Sequence, residues 1–375
     1  MFDGLRESFE LHRGGGRSVK SMDGLRGFAV LLVFLVHYES LLEPWIAGDA
    51  SVFALAKSLQ AIGNCGVDLF FLISGSLIYG SLLAGEHSFP KFFVRRLQRI
   101  YPAFAAVFAM YVALSFLLPS ENKIPEDQAG LYLLGNFLLL PGLLPIRPMI
   151  TVAWSLSYEM FYYLALPMLF ALAGLRDRTV RFRVVFFVSI AVALAAYSAM
   201  NGGPVRLIMF VSGIALYEAI NNSDVQVPGM VGLAALIAGM TCVVWPVAGP
   251  AGDVLQILVL FATFFVFCLA CFRTPHGWLP EAFSWTPLRW LGTMSYSFYL
   301  LHGLALKGAF LALSKIIPPT GQQSVLHWAL VLPMLALALI PSAGLFLFIE
   351  RPFSLARAIR SESLPPQAVS AESRP

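Results

Sequence analysis

Ser21-Met-Asp-Gly-Leu-Arg26-Gly-Phe-Ala-Val-Leu-Leu-Val-Phe-Leu-Val-His37 begins polar, stays apolar from Phe28 to Val36, and ends on an imidazole. Arg26 and His37 are eleven residues apart, so on an α-helix they differ by about 20° in azimuth and roughly 16 Å in rise. One helix face then carries a cation at one end and a titratable base far up the same side. With Arg26 at a membrane surface, His37 falls near the middle of a hydrocarbon layer about 30 Å thick. Ionisable groups at that depth are costly and usually face an internal pathway. A histidine hydrogen-bonded between helices purely for packing is the alternative this stretch leaves open.

Composition decides the environment. The chain has 375 residues, 58% hydrophobic and 12% charged, with 31 Phe; soluble proteins carry about twice that charged fraction. The expected fold is all-α: a polytopic membrane helical bundle. The net charge of +4 follows topology and gives no nucleic-acid signal. Cys65, Cys242, Cys268 and Cys271 are scattered in apolar context, which argues against a disulfide framework or a zinc site, so no metal is expected. The first twenty residues lack the apolar core of a cleavable signal.

The apolar runs place ten spans, at about 26–45, 61–83, 100–118, 152–175, 184–200, 204–220, 229–247, 253–272, 288–313 and 326–350. Residues 1–20 read as a flexible cytoplasmic lead, 21–355 as the transmembrane domain, and 356–375 as a polar cytoplasmic tail. Pro102 suits the first turn of the third span. The apolar piece Leu131–Leu140 is too short to cross and reads as re-entrant or interfacial. Ten spans put both termini on one side. Of the 25 Lys and Arg, only Lys57, Lys123, Arg147, Arg206, Lys307 and Lys315 then fall on the other side. The positive-inside bias places both termini in the cytoplasm.

On that topology His37, Asp68, Glu159 and His302 occupy one slab, near or just outside the midplane. Four ionisable groups at one depth on four helices are expected to meet around a polar cavity; a purely structural hydrogen-bond network is the alternative. Ser155 and Glu159 share a face with Tyr162 and Tyr163, and Ser295, Tyr299 and His302 repeat the pattern at i, i+4, i+7. Arg95, Arg96 and Arg99 mark the cytoplasmic entrance of the third span. Guanidinium forks match phosphate oxygens, although basic residues there are also ordinary topogenic or headgroup contacts.

Six blocks carry a resemblance. They are the Arg26–His37 stretch, Gly66-Val-Asp-Leu-Phe-Phe-Leu-Ile-Ser-Gly75, Arg96-Leu-Gln-Arg99-Ile-Tyr-Pro102, Trp154-Ser-Leu-Ser-Tyr-Glu159-Met-Phe-Tyr-Tyr163, Leu291-Gly-Thr-Met-Ser-Tyr296-Ser-Phe-Tyr299-Leu-Leu-His302 and Glu350-Arg-Pro-Phe353. In this order they resemble the acyltransferase-3 family of bacterial membrane acyltransferases, which most often O-acetylate envelope and exported polysaccharides. The resemblance implies a cytoplasmic acyl-CoA co-substrate, usually acetyl-CoA, with no permanently bound cofactor. It implies a glycan or glycolipid acceptor and a location in the bacterial inner membrane. It ties the matching Arg26, His37, Arg96 and Arg99 to activity. Many members carry an extracytoplasmic esterase-like domain; none follows here, so the membrane part or a separate partner is expected to complete transfer.

The residue types suit that chemistry. Acyl transfer to a hydroxyl needs a base for the alcohol proton and a donor for the developing oxyanion. His37 is the candidate base, or a transient acyl carrier, and Glu159 is expected to orient it. Arg95, Arg96 and Arg99 are assigned to the donor; Asp68, Ser155, Tyr162, Tyr299 and His302 to a supporting shell or the acceptor. A transporter or flippase with a His/carboxylate relay, and a non-catalytic scaffold of an export complex, are the competing readings.

Overall fold

The computed structural model describes Phe9 and residues 17–85, 88–245, 247–273 and 277–355. All of its regular elements are helices. Eight are long and apolar enough to cross a membrane: α1 (Arg17–Ile46), α2 (Ala50–Leu83), α3 (Phe89–Leu117), α5 (Ala153–Ala173), α6 (Val180–Asn201), α9 (Pro250–Arg273), α12 (Ser295–Ile316) and α13 (Val325–Leu345), which runs on as a π-helix to Leu355. The protein is a polytopic helical bundle.

Each of the ten expected spans is helical, but two fall short of crossing length. Helices α7 (Ile208–Asn222) and α8 (Gly229–Val244) have 15 and 16 residues, a rise of roughly 22–24 Å each. Prolines set these limits: Pro204 precedes the 3-10 turn that opens α7, and Pro228 is the N-cap of α8. The Leu131–Leu140 piece contains α4 (Ala129–Phe137), nine residues and too short to span. Asn136 pins the following loop, donating to Arg147 O and accepting from Met149 N at 2.7 Å.

Two expectations are corrected. Helix α3 starts at Phe89, with Pro at its first turn, so Pro102 lies inside the helix and the basic run Lys91–Arg99 is itself helical. The span expected at 288–313 is broken at Met294 into α11 (Thr286–Thr293) and α12. Glu350 explains how the second piece can start inside the bundle. Its carboxylate accepts from the backbone N–H of Ser297 at 3.1 Å and from its hydroxyl at 2.6 Å. That satisfies a first-turn donor which would otherwise be orphaned in a dry interior.

Phe9 lies in the expected free lead yet is buried, stacked on Phe346 and tilted against Trp290. The tail at 356–375 lies outside the described residues. Asp49 caps α2 through the N–H groups of Ser51 and Val52 and accepts from Ser324 Oγ. The Ser324 bond, then the backbone bonds, hold its carboxyl below the usual range.

Buried polar pairs join the helices. Arg183 meets the Glu218 carboxylate at 2.6 Å, with the Tyr79 hydroxyl donating to the same group. Asp68 pairs with Arg206 at 2.6 Å, and Glu39 with His327 at 3.0 Å.

The α1–α2 hairpin is antiparallel, with Gly63 against Leu32 and Val36 and Gly66 against Ala29. Contact is closer still where α1 meets α10 (Trp278–Ala282) and α11. A Cβ on Gly24 would lie 1.5 Å from Phe283 O, and one on Gly292 would lie 1.7 Å from Asp23 O. No flexible side chain is there to give way, so Gly24→Ala should destabilise by about 3 kcal/mol or more. Gly303→Ala, where a Cβ meets nothing within 4 Å, should be neutral or stabilising by up to about 1 kcal/mol. Thermal unfolding in detergent compares them; equal melting temperatures would mean that α1 is not seated backbone to backbone.

Candidate active site

The glycine contacts seat the first turns of α1 beside α11 and the start of α12. Arg26 therefore opens onto the same space as Arg96 and Arg99 of α3, although seventy residues separate them in sequence. These three cations line a cavity of about 860 Å³, counting its open part, together with Ser74 of α2, Glu159 and Tyr163 of α5, and Tyr296 and Tyr299 of α12. Arg96 lies over the rings of Phe92 and Tyr163, 5.1 and 5.5 Å from their centroids, which fixes a guanidinium by cation–π contact. Glu159 accepts from Tyr163 OH at 2.5 Å and from Ser74 Oγ at 3.3 Å. Glu350 lies within electrostatic reach of Arg99 and Arg26.

Ser155 stands one turn of α5 from Glu159, and its hydroxyl is 2.6 Å from Tyr299 OH. Tyr299 also donates to Val152 O at 3.2 Å. Its ring is 6.3 Å from that of His302, whose ring is 5.0 Å from that of His37. Tyr299, a wall of the arginine cavity, thus stands between it and two imidazoles that do not themselves line it.

The His302 tautomer follows from its contacts. Nδ1 is 2.8 Å from Phe298 O; a carbonyl only accepts, so Nδ1 carries the hydrogen. Nε2 is then an acceptor, and it is buried without a partner among the described residues.

Several expected site residues lie elsewhere. Asp68 is fully buried on its ion pair with Arg206, while its neighbour Val67 faces the arginine cavity. The expected meeting of His37, Asp68, Glu159 and His302 around one cavity therefore does not occur. Two imidazoles meet, Glu159 sits with the arginines, and Asp68 turns towards α7. Tyr162 stacks on Phe210 at 4.1 Å and does not line the cavity; Tyr163 takes that place. Arg95 is exposed outside the cavity, since one residue on a helix turns the side chain by about 100° from Arg96. Glu159 does not orient His37: its bonds run to Ser74 and Tyr163, and His302 is the neighbour of His37.

Sequence reasoning missed the cap supplied by Glu350, the Ser74 and Tyr163 bonds to Glu159, and the buried Glu39–His327 pair. Glu350 sits in a quoted block, and its position at the end of an apolar helix was the available signal.

These features define a multi-pass membrane protein with a cavity lined by three arginines and an imidazole pair packed beyond its Tyr299 wall. The sequence pattern of the family described as an acyltransferase domain matches residues 19–347. The chain belongs to this acyltransferase-3 family and is an acyltransferase. It is 26% identical over 365 residues to acyltransferase MdmB of Streptomyces mycarofaciens, covering 88% of this chain and 90% of the relative. It is 25% identical over 379 residues to peptidoglycan O-acetyltransferase OatA of Listeria monocytogenes, covering 89% of this chain and 55% of that protein. The chain thus spans little more than half the length of that peptidoglycan enzyme. No solved structure matches it.

Glu350→Ala should lower stability by about 3 kcal/mol, because it strips the buried Ser297 groups of their acceptor. Glu350→Gln keeps an acceptor oxygen and should cost only about 1 kcal/mol. Thermal unfolding separates the two. A Glu350→Ala protein as stable as the parent would show that α12 starts without this cap.

Proposed function

We propose that this acyltransferase takes an acyl group, most simply acetyl, from cytoplasmic acyl-CoA and passes it to a hydroxyl of an envelope or exported glycan. The observation that carries this reading is the cavity lined by Arg26, Arg96 and Arg99, whose wall residue Tyr299 neighbours the His302–His37 pair. The nucleotide phosphates of the donor bind Arg26, Arg96 and Arg99, whose forks suit phosphate oxygens. The Arg26–His37 rise of about 16 Å is comparable with an extended pantetheine arm, which runs past Ser74 and Glu159 towards Tyr299. On the positive-inside argument the arginine end faces the cytoplasm of a bacterial inner membrane.

The thioester carbonyl then stands beside the imidazoles. His37 takes the proton of the acceptor hydroxyl as its oxygen bonds to the carbonyl carbon. His302, with Nε2 as acceptor, is the second imidazole able to receive that proton. The Ser155 hydroxyl turns from Val152 O to donate to the oxyanion, while Tyr299 keeps its hydrogen on Val152 O. The tetrahedral adduct collapses, the C–S bond breaks, and the coenzyme A thiolate leaves with a proton returned by the imidazoles. In a two-step variant His37 first carries the acyl group. The relatives named as acyltransferase and peptidoglycan O-acetyltransferase support acyl transfer over transport.

Arg96→Ala/Arg99→Ala should weaken acetyl-CoA binding by about 100-fold, roughly 2.8 kcal/mol. Lys at both positions should restore only part, because an ammonium lacks the planar fork. Isothermal titration of the purified protein measures this, and unchanged affinity would leave the arginines as topogenic charges.

His37→Ala and His37→Gln should both abolish acyl transfer while acetyl-CoA still binds, since an amide cannot take a proton near neutral pH. His302→Gln should be slowed by about 10- to 100-fold, the middle of a proton relay's contribution. Acetyl incorporation from labelled acetyl-CoA is the readout. Substantial transfer by a folded His37→Gln protein would exclude His37 as base or carrier.

A further inference from the structure

Helix α5 faces two cavities. Ser155 and Glu159 line the arginine cavity, whereas Trp154 and Tyr158, one residue earlier on each turn, line a second cleft of about 760 Å³, counting its open part. Its remaining walls include Pro204 and Arg206 before α7 and Asp253 and Gln256 in the first turns of α9. The cleft lies at the start of α5, at the end of the bundle away from Tyr163 and Arg96. Phe71 is the partition. It lines the arginine cavity and packs against Trp154 at 6.4 Å and Tyr158 at 5.9 Å.

The side chains here are already held. Trp154 and Tyr158 sit edge to face at 5.5 Å. Arg206 commits Nη1 to Asp68 at 2.6 Å and to Asn64 O at 3.3 Å, which leaves the rest of its fork uncommitted among the described residues. Gln256 donates its amide nitrogen to Cys242 O and Trp245 O, so its oxygen stays available as an acceptor. An indole, a phenol, a guanidinium, an exposed carboxylate and an amide oxygen therefore line one cleft, the guanidinium and the amide held by their own bonds.

We infer that this cleft seats an uncharged hexopyranose ring of the acceptor glycan, an assignment that rests on the acyl-transfer reading above. The axial C–H face of a pyranose packs on an aromatic ring, and its vicinal hydroxyls match planar polar groups. Asp68 neutralises Arg206, and Asp253 adds a carboxylate, so the cleft has no surplus of cations for a phosphate or a lipid headgroup. Recognition polar groups placed before binding save the ordering cost that weakens flexible sites. A glycan held here lies against Trp154 and Tyr158, on the other side of Phe71 from the arginine cavity.

The test uses permeabilised cells carrying the full chain, labelled acetyl-CoA, and incorporation of label into the cell's own envelope glycan. Acetyl-CoA binding is measured on the purified protein. Trp154→Ala and the pair Asp253→Ala/Gln256→Ala should each slow incorporation by about tenfold or more, with acetyl-CoA affinity within about twofold. Trp154→Phe, which keeps an aromatic face, should retain most of the rate. The Asp253/Gln256 pair carries the test if Trp154→Ala does not fold. Parental rates in that pair and in any folded Trp154→Ala protein would overturn the cleft assignment alone. No incorporation by the parent chain would overturn acyl transfer to envelope glycan, and this assignment with it.

Discussion

The seating of α1 against α10 and α11 is the contact on which the chamber depends. Gly24 and Gly27 lie almost on the carbonyls of Phe283 and Leu288, and Gly292 answers from the other helix against Asp23. In lipid there is little hydrophobic gain from pressing one apolar helix on another, so close packing through small residues has to hold them together. Such a contact fixes position to within a fraction of an ångström, because backbone atoms cannot rotate aside. Arg26, two residues from each α1 glycine's carbonyl contact or less, is thereby placed over the start of α12.

A second constraint is the cost of polar groups in a dry interior. Asp68–Arg206, Arg183–Glu218 and Glu39–His327 each join two helices, with Asp68 Oδ1 and His327 Nδ1 left without a partner among the described residues. Glu350 does the same for the N–H of Ser297. Removing one partner from such a pair costs more than the pair contributes, since an uncompensated charge stays behind. The arginine cavity differs in kind. It gathers three cations with Glu159, and Glu159 spends its bonds on hydroxyl donors rather than on arginine. Ion pairs between helices hold them together, and cations that line open space suit an anionic ligand.

The apolar runs, and the helices that carry Arg26, His37, Arg96, Arg99, Ser155, Glu159 and Tyr299, were legible in the sequence. Apolar runs are periodic and long, and a helix turns by a fixed angle per residue, so depth and face follow from counting. Counting along the expected ninth span missed the break at Met294 that makes His302 the eighth residue of α12. It could not say that His302 would meet His37, or that Asp68 would turn to Arg206, because those choices depend on which helix lies alongside.

What the sequence alone determined is therefore one-dimensional: helical class, membrane character, and the order of polar groups along each helix. The partners of those groups were decided by tertiary structure. Tyr163 rather than Tyr162 reaches the cavity, Arg95 stays outside it, and the ninth span breaks at Met294. Each outcome turns on about 100° of rotation or on an acceptor from a distant segment, such as Glu350 at the start of α12. Local spacing carries no information about either, since helix packing fixes rotation only when all neighbours are in place.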